Sequence, residues 1–272
     1  FDMTTGIYNT LIGGVAGSAL TTGGSNVAIG MNALGGEDTG SDSIAIGRNA
    51  LLVQNYAGSA YNVAIGRDAG KAVSTGIHNT LVGGLAGDAL TVGSFNVAIG
   101  SNTLSSETAF GRNVAIGRSA LAALDAGVDA QNVAIGMAAG ELMSTGVENT
   151  LIGYNAGYSL TSGSYSVAIG SEALKNEDAH SFNVAIGRAA LENLNAGANG
   201  FNTAVGHQTG RNMTTGIENT LVGTYVGDAI TDGIRNVALG VNALTTETGG
   251  DRNVAIGTEA LKSQDGSNYN VA

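Results

Sequence analysis

The chain has 272 residues, of which 44 are glycine and none is proline or cysteine. Its net charge of −11 argues against nucleic acid or an anionic membrane as a partner, because both are bound through basic patches. The lack of cysteine excludes disulfide frameworks and cysteine-ligated metals. No apolar run approaches the roughly 20 residues of a membrane helix, so we expect no membrane contact in this segment.

One short motif recurs along the whole chain and must be interpreted before any local propensity. Asn-Val-Ala-Ile-Gly begins at Asn26, and strict or relaxed copies begin at 9, 43, 62, 79, 96, 113, 132, 149, 166, 183, 202, 219, 236, 253 and 270. The intervals follow the order 17, 17, 19 and 17, which gives a super-repeat of 70 residues. A 17-residue unit is too short for a helical hairpin repeat, which needs about 33 to 47 residues.

Each unit predicts one coil of a parallel β-solenoid (β-roll). Val and Ile on either side of an alanine give the period-two pattern of a strand, and the glycine that follows permits a tight corner. Coils stacked at about 4.8 Å predict that residues 1–272 form a single rod about 75 to 80 Å long rather than two domains. The chain begins and ends partway through a coil without polar caps, so we expect a window of a longer repetitive fibre.

First coils carry leucine in the middle of the strand, where the other coils carry alanine. If the flanking Val and Ile point inward, the middle residue points outward, and a face of alanines and leucines suits a second chain better than water. This interpretation predicts a chain–chain interface. Its residues are Leu11, Leu81, Leu151 and Leu221 in the first coils and Ala28, Ala98, Ala168 and Ala238 in the second coils. The alternative is that each leucine fills a groove inside its own coil.

Second coils end in an acidic turn that contains Glu37, Glu107, Glu177 or Glu247. A column of carboxylates suggests calcium binding. However, the glutamates recur only every fourth coil, roughly 19 Å apart at the stacking distance of strands, and no loop has the Asp-rich spacing of calcium sites. We therefore interpret these turns as solvated and edge-protecting, and expect no cofactor, with calcium as the alternative.

The last two coils of each cycle add little chemistry. Third coils contain a two-residue bulge at 55–58 and 125–127, and fourth coils end with a Thr/Ser pair before glycine. His78, His180 and His207 fall at unrelated places in the repeat, and no nucleophile or acid–base pair stands out from its column. We expect no catalytic residues, no metal ligands and no enzymatic activity.

Aromatic residues precede the motif in several coils: Tyr8, Tyr61, Phe95, Tyr165, Phe182, Phe201 and Tyr269. Such a column suggests a surface stripe that contacts a sugar or a partner chain. Asp, Glu and Arg occupy the equivalent place in other coils. A dedicated groove for a ligand is therefore the less favoured interpretation.

The Asn-Val-Ala-Ile-Gly-x-x-Ala-Leu rungs resemble the head repeats of trimeric autotransporter adhesins of the YadA type. They look equally like the Asn-Thr-Ala-Ile-Gly-type repeats of phage tail fibres, and the resemblance covers essentially the whole chain. It implies a left-handed parallel β-roll, a side-by-side homotrimer, and an extracellular place on a cell surface or virion. The rungs here are longer than those of the adhesin heads, and no receptor-binding residues match.

Two functions follow from the pattern and the resemblance. The first is a structural or adhesive fibre segment that projects a domain or attaches to a host-surface glycan or protein. The alternative is a self-assembling extracellular filament with no specific ligand. In both, the principal partner of the chain is itself, as a homotrimer or a filament.

Overall fold

The computed structural model describes residues 3–272, which contain fifteen parallel strands of three residues each and no helix. The chain divides into two compact units, Phe1–Asn132 and Val133–Ala272. The first unit contains β1 to β7, which are Thr10–Ile12, Val27–Ile29, Ile44–Ile46, Val63–Ile65, Thr80–Val82, Val97–Ile99 and Val114–Ile116. The second contains β8 to β15, which are Val133–Ile135, Thr150–Ile152, Val167–Ile169, Val184–Ile186, Thr203–Val205, Thr220–Val222, Val237–Leu239 and Val254–Ile256.

Within each unit the strands stack as a β-solenoid of about 17-residue coils, which confirms the predicted fold class. Each strand of a unit pairs parallel with the next strand of the same unit, and equivalent residues are partners. Val27 lies beside Ile44, Ala28 beside Ala45 and Ile29 beside Ile46. The rest of each coil is built from turns and bends. No helix of residues 3–272 has the length and apolarity that crossing a membrane requires.

A buried asparagine starts nearly every coil and ties it to the coils on either side. The amide N–H of Asn26 donates to Oδ1 of Asn9 at 2.9 Å, and Oδ1 of Asn26 accepts from the Ser43 N–H at 3.0 Å. Nδ2 of Asn26 donates to the Gly40 carbonyl at 2.9 Å. These bonds satisfy backbone groups at a corner where no strand partner exists. The motif therefore begins with Asn because its side chain carries both a donor and an acceptor.

The interior of the coil is narrow, and its filling explains the 70-residue super-repeat. Where the middle strand residue is alanine, as in the second and third coils, a buried leucine such as Leu34 or Leu51 lies six residues further on. In first coils this later place is glycine, and Leu81 takes the space: a Cβ added at Gly87 would lie 2.8 Å from Leu81 Cδ2. First coils therefore place the large residue in the strand, and second and third coils place it in the turn. Fourth coils are small at both places, as in Ala64 and Gly70, and Leu81 of the next coil packs against Gly70.

The predicted orientation of the strands is wrong. The middle residues face the core: Ala28, Ala98, Ala168, Ala238, Leu81, Leu151 and Leu221 are buried, and Leu11 is half-buried. The physical reason is volume, because in second and third coils the turn leucines already occupy the interior and leave room for only a methyl group. The alternative interpretation, that each leucine fills a groove inside its own chain, is therefore correct. These eight residues do not form an outward chain–chain interface.

Candidate functional site

The candidate site is the outer strand face, which we define as the first and third residues of every strand. None of these residues is charged, and each is half-buried or exposed. In the first unit they are Thr10, Val27, Ile44, Val63, Thr80, Val97 and Val114 in one row, and Ile12, Ile29, Ile46, Ile65, Val82, Ile99 and Ile116 in the other. The second unit repeats both rows from β8 to β15.

Two columns border this face. The leading flank is the residue two places before each strand, and it has a left-handed backbone in every coil, with φ between 48° and 66°. The trailing flank is the second residue after each strand. Side chains of both flanks lie at the surface, as Phe95 and Met31 illustrate.

The predicted aromatic stripe occupies the leading flank, where its rings form two ladders. In the first unit, Tyr61, His78 and Phe95 stack with centroid separations of 5.2 and 5.1 Å. The second unit contains the same arrangement of Tyr165, Phe182 and Phe201, at 5.3 and 5.1 Å. The guanidinium of Arg112 covers the free face of Phe95 at 5.8 Å.

Ladder geometry bears on the sugar-binding interpretation of this stripe. The rings of each ladder lie within 16° of parallel, so their faces contact one another. The parts of these rings that face solvent are therefore mainly their edges and the polar atoms on those edges. A sugar ring stacks on an aromatic face, and the ladders offer few free faces, so this geometry favours contact with a protein surface.

The glutamates of the acidic turns are buried, which overturns their interpretation as solvated turns. Oε1 of Glu37 accepts from the Gly40 N–H at 2.7 Å, and its Oε2 accepts from Gln54 Nε2 at 2.9 Å. In the next cycle Leu124 takes the place of Gln54, and Glu107 relies on the Phe110 and Ala126 amides at 3.1 and 3.5 Å. These carboxylates close a turn inside the coil.

No group of three or more His, Asp or Glu side chains that could hold a metal ion occurs in the described part of the chain. Each glutamate of the column instead accepts hydrogen bonds from nearby amides or side chains. The second carboxylate oxygens of Glu177 and Glu247 are buried without a hydrogen-bond partner. One unpaired oxygen falls far short of the six to eight oxygen ligands that calcium takes.

Burial of Glu107 leads to a pH prediction. Desolvation raises the pKa of this carboxyl above its ordinary value of 4.5, and the nearby Asp125 adds to the effect, while amide hydrogen bonds oppose it. Burial also raises the pKa values of Asp88 and Asp228. A raised folded pKa means that the folded chain binds protons more tightly than the unfolded chain, so this contribution to stability is complete below about pH 4.5 and is lost as pH rises through the folded pKa.

We therefore expect the urea concentration at the midpoint of unfolding to decrease as the pH is raised from 4.5 to 8. The decrease should be smaller in Glu107→Gln than in the wild type. Gln keeps one acceptor oxygen, for the shorter bond from the Phe110 amide, and removes the ionisation. The exposed Glu218, whose pKa is lowered by its bond to Arg235, serves as the control: Glu218→Gln should not reduce the fall. If Glu107→Gln had the same pH dependence as the wild type, the Glu107 carboxyl would not be a source of that dependence.

The chain matches no protein-family model and no curated protein. The arguments for its function are therefore physical. Sequence reasoning missed the outer strand face, although one signal pointed to it. Each leucine in the middle of a strand coincides with a glycine six residues later, as for Leu81 and Gly87, and such size compensation indicates that both residues share the interior.

Proposed function

We propose that the chain is a segment of a non-enzymatic structural fibre whose copies associate side by side through the outer strand face. The observation that carries this proposal is the uncharged apolar face itself. Parallel sheets are almost always covered on both faces. Here the coil interior covers one face, while Ile and Val side chains of the other stay half-buried or exposed.

The size of the face supports a protein partner. Seven strands at about 4.8 Å and two rows of side chains give a footprint of roughly 300 Å² in the first unit, which is as large as the largest apolar patch of a typical monomer. The second unit has a similar face. The face of one unit alone is a substantial part of the roughly 800 Å² that each partner contributes to a standard protein interface.

A second copy of the chain is the partner that fits best. Both rows repeat at the spacing of the coils, and another copy has rows with the same spacing. Identical rows of β-branched side chains can interdigitate as dry layers, as in stacked sheets. A partner of different architecture lacks rows with this spacing. A partner with a charged surface would lose the hydration of its charges without forming ion pairs in return.

The biological setting of the proposal rests on the resemblance to adhesin heads and phage tail fibres. We propose a side-by-side homotrimer at a cell surface or on a virion, which projects other domains or takes part in attachment to a host glycan or protein. In this proposal the chain needs no cofactor. Its stability comes from the core, the asparagine column and the association of copies.

Replacing Ile99 by lysine tests the proposal. Ile99 lies on the outer strand face at the end of β6 and is 37% exposed, so the substitution leaves the coil folded but places a charge in the interface. We expect dissociation to folded monomers, measured by sedimentation velocity and circular dichroism. The matched control is Val53→Lys, at a residue 46% exposed on a turn outside the face.

The two variants separate the possible results. Loss of association in Ile99→Lys alone supports the proposal. Equal mass for the wild type and both variants would contradict it. Open-ended polymers of the wild type that Ile99→Lys abolishes would place the same face in a self-assembling filament rather than in a closed trimer.

A further inference from the structure

Asn199 and Gly200 end a surface bulge of the second unit, in the coil that begins at Asn183. They form the only Asn-Gly pair in the sequence. Asn199 is exposed and Gly200 is buried, so the peptide bond between them leads from the surface into the coil. A Cβ added at the nearby Gly197 meets no atom of the described residues within 4 Å, so water reaches this bulge.

An Asn-Gly pair can modify itself without an enzyme. The backbone nitrogen after the asparagine attacks the side-chain Cγ, and the bond from Cγ to the amide nitrogen breaks. The proton of the attacking nitrogen passes through solvent to the leaving group, which departs as ammonia. Water then opens the resulting succinimide at either carbonyl and leaves aspartate or isoaspartate. Glycine permits the attack most readily because it has no Cβ beside the nitrogen.

Packing inside the coil requires glycine at this place. A Cβ added at Gly200 would lie 2.1 Å from Oδ1 and 2.7 Å from Nδ2 of Asn183, which is fully buried. Oδ1 of Asn183 also accepts from the Asn202 N–H at 3.2 Å, so a larger residue at 200 would displace a side chain of the asparagine column. The reactive pair is therefore a consequence of how the coil is packed.

Two hydrogen bonds restrain the reacting groups in the folded chain. The Gly200 N–H donates to the Ser181 carbonyl at 3.1 Å, and Oδ1 of Asn199 accepts from the Ser181 N–H at 3.2 Å. Both groups are thus held by one residue of the preceding coil. The Gly200 nitrogen must leave its acceptor before it attacks, so the reaction requires a local opening of the coil.

The two products differ in how they fit the coil. Asp129 occupies the place of Asn199 one cycle earlier, and its Oδ1 accepts a backbone N–H of the preceding coil at 3.1 Å, as Oδ1 of Asn199 does. Aspartate is therefore compatible with this bulge. Isoaspartate lengthens the backbone by one carbon just before Phe201, whose ring stacks on Phe182 at 5.1 Å, and it moves that ring out of its ladder.

We infer that Asn199 is a site of spontaneous deamidation, slowed by the stacked coil and released when the coil beginning at Asn183 opens. This site lies outside the outer strand face and does not depend on the association of copies. Each conversion adds one negative charge to a chain whose net charge is already −11. Conversion to isoaspartate also removes one ring from the aromatic ladder of the second unit.

The test is incubation of the whole chain at mildly alkaline pH, in buffer and in urea that unfolds it, followed by peptide mass spectrometry. An isoaspartyl methyltransferase assay distinguishes the two products. We expect conversion at Asn199 to be at least about tenfold faster in urea, which corresponds to an opening free energy of about 1.4 kcal/mol or more. The internal control is Asn195, which is exposed in the same bulge but is followed by Ala196.

Two outcomes of this incubation would overturn the inference. The first is equal conversion of Asn199 in buffer and in urea, because the coil would then give no protection. The second is conversion of Asn195 as fast as that of Asn199 in urea, because the Asn-Gly pair would then have no special reactivity.

A pair of cavity variants tests whether the opening is local. Leu194 and Leu124 are fully buried at equivalent places in the two units. Leu194→Ala, in the coil of Asn199, is expected to speed conversion in buffer more than Leu124→Ala does. Equal acceleration in the two variants would contradict a local opening. Asn199→Asp is expected to keep the thermal midpoint of the wild type, and a large decrease would contradict the fit of aspartate.

Discussion

Leu81→Ala is expected to lower the free energy of unfolding by about 2 to 5 kcal/mol, the range for truncating a buried leucine. Leu81 is fully buried, and it packs against two glycines: a Cβ at Gly70 would lie 2.6 Å from its Cδ1. The cavity left by truncation would lie beside Gly70 and Gly87, which have no side chain to fill it. The loss is expected at every protein concentration in urea denaturation.

Its neighbour Val82 provides the matched control. Val82 belongs to the outer strand face and is half-buried, so Val82→Ala is expected to cost about 1 kcal/mol or less in the isolated chain. Its larger effect is expected on association, which depends on concentration. If the two variants lost the same free energy of unfolding, or if Val82→Ala lost more at high dilution, the conclusion that Leu81 faces the core and Val82 faces outward would be wrong.

Asn219→Leu is the second substitution with a large expected effect. Nδ2 of Asn219 donates to the Gly233 carbonyl at 2.8 Å, and its Oδ1 accepts from the Asn236 N–H at 2.9 Å. Leucine removes both bonds and leaves buried backbone groups without partners, each at a cost of about 1 to 3 kcal/mol. We expect a total loss of about 3 to 5 kcal/mol, measured by urea denaturation.

Serine at the same position gives a graded control. Ser166 takes the place of asparagine in its coil, and its Oγ accepts from the Asn183 N–H at 3.3 Å. Asn219→Ser therefore retains one acceptor and is expected to lose about half as much stability as Asn219→Leu. If leucine is tolerated as well as serine, the asparagine column does not hold the coils together.

The repeat predicted the coils and strands correctly because the same residues return at the same place. An Asn, three strand residues and a glycine specify a corner, a strand and a second corner in each coil. The direction of the side chains was not predictable in the same way. In Val27-Ala28-Ile29 every residue is apolar, and residue size favoured the wrong choice. A polar residue marks the outer face only in some coils, as Thr80 does in β5.

The prediction that the acidic turns are solvated was wrong for a related reason. An acidic residue next to glycine in a turn usually faces water, but Glu37 bends inward because the Gly40 amide and Gln54 offer it donors. Those donors lie three and seventeen residues away, in the turn and in the next coil. Only the stacked structure brings them together, so a local pattern does not reveal them.

The central claim is that the outer strand face is covered by further copies of the chain. Sedimentation equilibrium of the wild-type chain tests it most directly. The account predicts a mass that is a whole multiple of 26.9 kDa, with three copies expected from the resemblance, and no change when a calcium chelator is added. A mass of one chain at high concentration, with Ile99 exposed to solvent, would contradict it.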